Sequence, residues 1–353
     1  MDSLTQIALG SAVSVAVLGR RTAVWKAALW GGLAGTLPDL DAFIDHGNAI
    51  LNMTRHRAES HSLLLLTLAS PVLAWVASRV HRNPRLPAAS SALQPSPQQG
   101  PTFFRWWLAL WLVLFTHPLL DTMTVYGTQL LQPFTDHPFG VGSIFIIDPL
   151  YTVSLIVGVV AALRLQKSAR GLPWNLAGLT LSTLYLGWSF GAQQHATQVA
   201  RASLAVQGIE TQGLLVTPAP FNTVLWRLVA TTPTQYFEGY YSLLDNGQRI
   251  TWTAHDRGAA LIEQHRHEPS VARMAAFTHG FYSLAETDGR LFVTDLRMGQ
   301  EPAYTFRFDL GSAPARVSGQ HLPVQQSRRP DLGTALPWLW QRMWGNDVAL
   351  PRL

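Results

Sequence analysis

The sequence predicts an α-helical membrane bundle of about six helices, followed by a small extracytoplasmic α+β or β-rich domain. Three observations support this. The 353 residues are 48% apolar and only 13% charged, against about 25% charged residues in soluble domains. Six apolar runs, each close to the ~20 residues that a membrane-spanning helix needs, occupy the first 200 residues: 4–19, 24–38, 62–80, 104–120, 144–164 and 173–191. Beyond residue 200 the pattern changes to short, strand-like segments.

These patterns divide the chain into residues 1–200, a membrane-embedded helical domain, and residues 201–353, an extracytoplasmic β-rich domain. Within the first, the Pro- and Ser-rich residues 83–101 are predicted to form a flexible cytoplasmic linker. In the second, Asn246-Gly247 and Asp288-Gly289 indicate hairpins. Strands are predicted at Thr223–Thr231, Gln235–Leu244, Arg249–His255, Tyr282–Glu286, Leu291–Leu296 and Tyr304–Leu310, with a helix at Pro269–Thr278.

Two alternatives for the apolar runs stay open. The first two runs are short and rich in glycine, so they fit a re-entrant hairpin as well as two spans, and all six could be buried helices of a large soluble protein. Other classes are excluded by composition. With no cysteine, neither a disulfide scaffold nor a thiolate metal site can form. The net charge of +5 is not clustered as a nucleic-acid surface requires, so no nucleic-acid partner is expected.

Basic residues orient the predicted bundle. Ten of the twelve Lys and Arg residues before position 200 fall in the connections between runs 1 and 2, 3 and 4, and 5 and 6. Positive charge accumulates on cytoplasmic loops, so both termini are predicted to lie outside the cytoplasm. All eight acidic residues of this region then fall on the outer side of the membrane: Asp2, Asp39, Asp41, Asp45, Glu59, Asp121, Asp136 and Asp148.

Carboxylates and imidazoles at several helix ends on one face predict a divalent-metal site. Pro38 ends the second helix, which allows two nearby carboxylates to turn toward one centre. His117 and Asp121 are four residues apart, and positions i and i+4 share one helical face. The predicted ligands are Asp39, Asp41, His56, His61, His117 and Asp121. Six ligands exceed one closed zinc site, so two ions, or one ion and a general base, fit the number better.

Further residues complete the predicted site. Arg57 offers a planar fork of donors for an anionic oxygen of the substrate, and Asp39 or Asp136 is expected to act as the catalytic base. Imidazole and carboxylate ligands favour Zn²⁺, with Mn²⁺ or Fe as alternatives. At the N-terminus, Ser3 with Gln6 is interpreted as a helix capping box. The Trp-rich residues 336–344 fit either a membrane-interface or docking helix, or a helix packed on its own domain.

Several motifs resemble those of the bacterial LexA-regulated, inner-membrane-bound metal-dependent hydrolase family. They are the segments at residues 1–6, 35–41, 61–62, 116–121, 126–128 and 143–151, which include Leu37-Pro38-Asp39-Leu40-Asp41 and Thr116-His117-Pro118-Leu119-Leu120-Asp121. The family is distantly similar to zinc-dependent phospholipase C and single-strand nucleases, which also use His-x-x-x-Asp pairs. The resemblance covers residues 1–190 and implies an inner-membrane protein whose metal ligands are Asp39, Asp41, His61, His117 and Asp121.

The leading functional hypothesis is a membrane-bound metal-dependent hydrolase. Its site would lie at the outer face of the inner membrane and cleave a phosphoester of a lipid or lipid-linked substrate, with the lipid bilayer as partner. A non-enzymatic envelope-stress or assembly factor with a structural metal is the alternative. A metal transporter is a third reading, disfavoured because the acidic residues crowd one face of the membrane.

Overall fold

A computed structural model describes residues 1–81, 101–166, 170–247, 249–313, 321–327 and 331–349. The predicted linker at 83–101 lies outside the described residues except for Pro101. The first 206 residues are mainly helical. Their helices are α1 (Ser3–Leu18), α2 (Val24–Thr36), α3 (Ala49–Arg55), α4 (Leu63–Val80), α5 (Phe103–Thr122), α6 (Pro149–Arg164) and α7 (Gly171–Val206), with short 3₁₀ helices at Pro38–Phe43 and Glu59–His61.

The helical region packs around one core to which α1 is central. Gly10 and Gly31 let α1 and α2 approach closely, because a Cβ on Gly10 would lie 2.3 Å from the Gly31 carbonyl oxygen. Trp106 and Leu110 of α5 and Leu155 of α6 are buried in the same core. Helices α1, α2, α4, α5 and α6 overlap the first five predicted apolar runs. Helix α7 overlaps the sixth run and continues well beyond its end.

The predicted six-helix membrane bundle is wrong. Within the described part of the chain, only α4 and α5 are long and apolar enough to cross a membrane. Helices α1 and α6 have 16 residues each and α2 has 13, so at 1.5 Å per residue the longest covers about 24 Å, less than the ~30 Å hydrocarbon layer. The apolar runs of α1 and α6 therefore reflect packing between helices.

A β-sheet domain follows the helices. One antiparallel sheet has the order β1 (Gly213–Pro218), β2 (Leu225–Thr231), β3 (Gln235–Ser242) and β4 (Thr253–Asp256). A second has the order β10, β9, β6 and β5, and β7 pairs with β8. The strands of the second sheet and of the small hairpin are β5 (Tyr282–Thr287), β6 (Arg290–Asp295), β7 (Gly299–Gln300), β8 (Ala303–Tyr304), β9 (Arg307–Ser312) and β10 (Val324–Gln325).

In the described residues of this domain, three helices accompany the sheets: α8 (Ala259–His265), α9 (Pro269–Phe277) and α10 (Leu332–Met343). The predicted strands overlap β2 to β6 and β9, and the predicted helix matches α9, whereas β1 and α8 were not predicted. Helix α10 is the Trp-rich segment. Its Trp338 and Arg342 are buried, and Arg342 forms a double ion pair with Asp245 at 2.6 and 2.8 Å, so one face of α10 packs on its own domain.

The helical region and the β domain share buried surface. Ala192, Ala196 and Ala200 of α7 are buried with Trp226 and Leu228 of β2. A second shared cluster joins Ile50 and Met53 of α3 and Tyr126 to the second sheet and α9. The ring of Tyr126 lies 5.7 Å from those of both Phe277 and Phe306. The β domain therefore packs directly beside the segment that follows α5.

Candidate metal centre

Four side chains from three parts of the chain converge at one end of α4 and α5. Asp39 comes from the 3₁₀ helix after α2, His61 from the 3₁₀ helix that leads into α4, and His117 and Asp121 from the last turns of α5. One ligand atom from each lies within 4.8 Å of the others, an arrangement that could hold a metal ion. We call these residues the His2Asp2 cluster. The Asp39 side chain is 19% exposed, whereas the other three are buried.

The ring nitrogens and carboxylate oxygens of the cluster face one another. The Nε2 atoms of His61 and His117 are 3.2 Å apart. Oδ2 of Asp121 lies 3.2 and 3.4 Å from these two nitrogens. Oδ1 of Asp39 lies 3.4 and 3.5 Å from the same pair. Two nitrogen and two oxygen atoms, all of them potential metal ligands, thus surround a common point.

Hydrogen bonds on the far sides of the imidazoles orient them. Nδ1 of His117 donates to the carbonyl oxygen of Gly35 at 2.8 Å. Because a carbonyl can only accept, this bond places the proton of neutral His117 on Nδ1 and leaves the Nε2 lone pair facing the centre. Nδ1 of His61 lies 2.8 Å from the hydroxyl of Ser60. Such contacts fix ring orientation in metal sites.

The two oxygens of Asp121 have different surroundings. Oδ1 accepts from the Met1 amino group and from Nε2 of Gln6 at 3.1 Å, and lies 3.4 Å from Nη2 of Arg57. Oδ2 is buried and has no hydrogen-bond partner among the residues that the structure describes. A buried carboxylate oxygen without a partner is costly, and a cation held between Oδ2 and the imidazoles would remove this cost. The residues therefore fit a metal ion.

Charges within the cluster shift the pKa values of Asp39 and His61. Burial by itself would raise the pKa of Asp39, but the neighbouring His117 and His61 imidazoles hold this pKa well below its usual range. Burial disfavours the imidazolium form of His61, yet the Asp121 and Asp39 carboxylates outweigh burial and raise its pKa to about 9. The carboxylates thus create a strong local preference for positive charge at the centre.

Asp41 and His56, predicted as ligands, lie outside the His2Asp2 cluster. Asp41 pairs with Nδ1 of His56 at 2.7 Å and accepts from the Arg57 backbone nitrogen at 2.9 Å and from the Ser60 hydroxyl. Its Oδ2 is 3.5 Å from Nδ1 of His61, the nitrogen on the far side of that ring from the centre. The structure therefore places Asp41 where it orients His61.

Arg57, predicted to bind substrate, is buried, and its guanidinium contacts Oδ1 of Asp121. Its guanidinium donates to the Thr124 hydroxyl at 3.2 Å and lies 5.1 Å from the centre of the Tyr126 ring. Its backbone has φ of 64°, a left-handed conformation that is uncommon outside glycine. Asp136, predicted as an alternative base, is exposed and is not a member of the cluster.

The sequence did not predict the contacts made at the centre by the Met1 amino group, the side chains of Gln6 and Ser60, and the carbonyl of Gly35. Asp2, not Ser3, caps α1 by accepting from the Thr5 backbone nitrogen, which frees Gln6 to reach Asp121. The available signal was the presence of polar residues, among them Thr5 and Gln6, in the otherwise apolar α1, where the structure buries them. A polar residue in an otherwise apolar helix indicates a buried partner.

The fold and the cluster define a membrane-associated helical protein with an appended β-sheet domain and a site that could hold a metal ion. Residues 1–196, more than half of the chain, match the family described as YdjM inner membrane protein, and the chain belongs to this family. Uncharacterized protein YfhP of Bacillus subtilis (strain 168) is 24% identical over 264 residues, which cover 71% of this chain and 72% of that protein. No solved structure matches the chain.

Proposed function

We propose that this protein is a membrane-bound, metal-dependent hydrolase that acts on a phosphoester of a lipid or lipid-linked substrate at the outer face of the inner membrane. The observation that carries the proposal is the unpartnered Oδ2 of Asp121, which is aimed at two converging imidazole nitrogens. Membership of an inner-membrane family and the position of the cluster at one end of the two candidate spans support a substrate that is presented by the bilayer.

The cluster suits one divalent ion. His61, His117, Asp121 and Asp39 would hold it, and their nitrogen and oxygen donors favour Zn²⁺, with Mn²⁺ or Fe as alternatives. When bound, such an ion acts as a Lewis acid that polarises a phosphoryl oxygen. Asp39 is the least buried of the four, so of the two predicted bases it, rather than the exposed Asp136, lies at the edge of the centre where water would have access.

Detergent-purified full-length protein, loaded with Zn²⁺ or Mn²⁺, tests the proposal on phospholipid in mixed micelles. Hydrolysis of a phosphoester by the unaltered chain, and its loss in His117→Ala and in Asp121→Asn, is the expected result. His137→Ala is the matched control, because His137 is exposed outside the cluster. Equal activity in His117→Ala and the unaltered chain would refute the proposal.

A structural metal is the second candidate role. Two histidines and two aspartates already supply the four ligands of a closed zinc site, and three of them are buried. The protein would then be a non-enzymatic envelope-stress or assembly factor. Stoichiometric metal that is required for folding, together with no hydrolysis of any phosphoester offered, favours this candidate over the hydrolase.

A further inference from the structure

Exposed apolar side chains lie on two segments beside the His2Asp2 cluster. We call them the apolar rim: Leu40, Phe43 and Ile44 from the first 3₁₀ helix and its end, and Leu131 and Phe134 from the segment after α5. Phe43 is 87% and Phe134 is 81% exposed. Large aromatic residues at this exposure are unusual on a water-facing surface, and exposed apolar surface of this kind marks an interaction site.

Both segments are fixed at the same end of α4. The backbone nitrogen of Leu63, the first residue of α4, donates to the Leu130 carbonyl at 3.0 Å. The Ser62 hydroxyl donates to the Gln132 carbonyl at 2.6 Å. On the other segment, Asp41 is bound to the turn before α4 through Arg57 and Ser60. The rim therefore lies at the level where α4 begins.

The rim continues the apolar surface of the two candidate spans. Leu64, Leu65 and Leu68 on the first turns of α4 are 41%, 37% and 65% exposed, and Leu119 near the end of α5 is 37% exposed. On both rim segments an exposed acidic residue comes shortly after the apolar ones. Asp45 follows Ile44 directly, and Asp136 is two residues after Phe134. A change from apolar to charged side chains at the end of a span is typical of the membrane–water interface.

We propose that the apolar rim inserts into the interfacial layer of the lipid bilayer beside the His2Asp2 cluster. The occupant is phospholipid, because the rim is continuous with surfaces that already need lipid contact. Insertion places the cluster at headgroup depth, so that a phosphoester of a bilayer lipid reaches it from the side without leaving the membrane. The part of this inference that concerns substrate rests on the proposed function, whereas the insertion itself does not.

Site-directed spin labelling tests the insertion on the full chain. Because the sequence contains no cysteine, Phe43→Cys and Phe134→Cys each give one labelling site. The labelled proteins are reconstituted in vesicles of phosphatidylethanolamine and phosphatidylglycerol, and nitroxide collision rates with oxygen and with a water-soluble nickel chelate are measured. Leu68→Cys on α4 is the lipid reference, and Leu322→Cys, 60% exposed in the β domain, is the water reference.

The expected result is a ratio of oxygen to nickel collisions at both rim positions well above that of Leu322→Cys and approaching that of Leu68→Cys. A ratio equal to that of Leu322→Cys would overturn the proposal. Protection from both reagents would overturn it as well, because it would show that protein, such as a second copy of the chain, covers the rim. The measurement requires neither bound metal nor hydrolysis. It therefore tests insertion of the rim even if the protein lacks the proposed hydrolase activity.

Discussion

Nε2 of His61 and Nε2 of His117 face each other at 3.2 Å, although the two residues are 56 positions apart. The Gly35 carbonyl holds the proton of neutral His117 on Nδ1, so its Nε2 offers a lone pair rather than a donor. Two imidazoles and the unpartnered Asp121 oxygen then converge without a hydrogen-bond network that satisfies them all. This is the arrangement that a cation stabilises.

Removing one imidazole should abolish stoichiometric metal. In His117→Ala the cluster keeps one histidine and two carboxylates, which cannot complete a four-ligand site. We expect the metal content of detergent-purified protein, measured by inductively coupled plasma mass spectrometry, to fall from about one ion per chain to near zero. His137→Ala should retain its metal, and full occupancy in His117→Ala would contradict the assignment.

Ser60→Ala should weaken metal binding without abolishing it. The Ser60 hydroxyl contacts Nδ1 of His61 and also Asp41, so its loss frees the His61 ring to rotate. Contacts of this kind are worth about 10- to 100-fold in metal affinity. Competition with a chromogenic zinc chelator measures the change, and Glu59→Gln, at an exposed neighbour, is the control. An unchanged Kd for Ser60→Ala would show that His61 is oriented by other contacts.

Arg57→Met should destabilise the protein. The substitution removes a buried positive charge that contacts Asp121 and Thr124, and breaking a buried ion pair costs about 3–5 kcal/mol. Arg55→Met, at an exposed position on the same turn, should change stability by no more than about 0.5 kcal/mol. Thermal unfolding in detergent compares the two. If both variants unfold at the same temperature, Arg57 does not support the centre.

Arg342→Met should loosen α10. Arg342 holds this helix through Asp245 and the Tyr240 carbonyl, so its loss should increase transient opening of the C-terminal segment. Chymotrypsin cleavage at the exposed Trp340 and Trp344 should become at least about tenfold faster, since breaking such a pair costs several kcal/mol. Arg266→Met, at an exposed position on another helix end, is the control. Equal cleavage rates would show that the other contacts of α10, such as the buried Trp338 and the bond from Ser242 to the Met343 carbonyl, hold the helix without Arg342.

The helices were predictable because apolar periodicity and capping signals are local. The apolar runs 62–80 and 104–120 correspond to α4 and α5. At the start of α6, Asp148 and Pro149 are residue types that favour a helix N-terminus. The number of spans was not predictable from apolarity, because α1 and α6 use much of their apolar surface against other helices. A run of apolar residues has the same composition whether it faces lipid or a neighbouring helix.

The candidate metal site was likewise predictable only in part. The four-residue spacing places His117 and Asp121 on one helical face, and the structure brings both into the cluster. Asp39 and Asp41 could not be separated in advance. In the 3₁₀ helix Pro38–Phe43, residues two apart point about 120° away from each other, so Asp39 faces the two imidazoles while Asp41 turns toward His56 and Ser60.

The sequence by itself determined most of the helical and extended segments, that thiolate ligands are impossible, and which acidic and imidazole side chains were available. Only the tertiary structure decided which of these side chains meet, that Arg57 contacts Asp121, and that two helices of the described residues, rather than six, are candidate spans. The reason is physical: local periodicity and capping depend on neighbours in the chain, whereas a ligand set and the division of apolar surface between protein and lipid depend on contacts between distant residues.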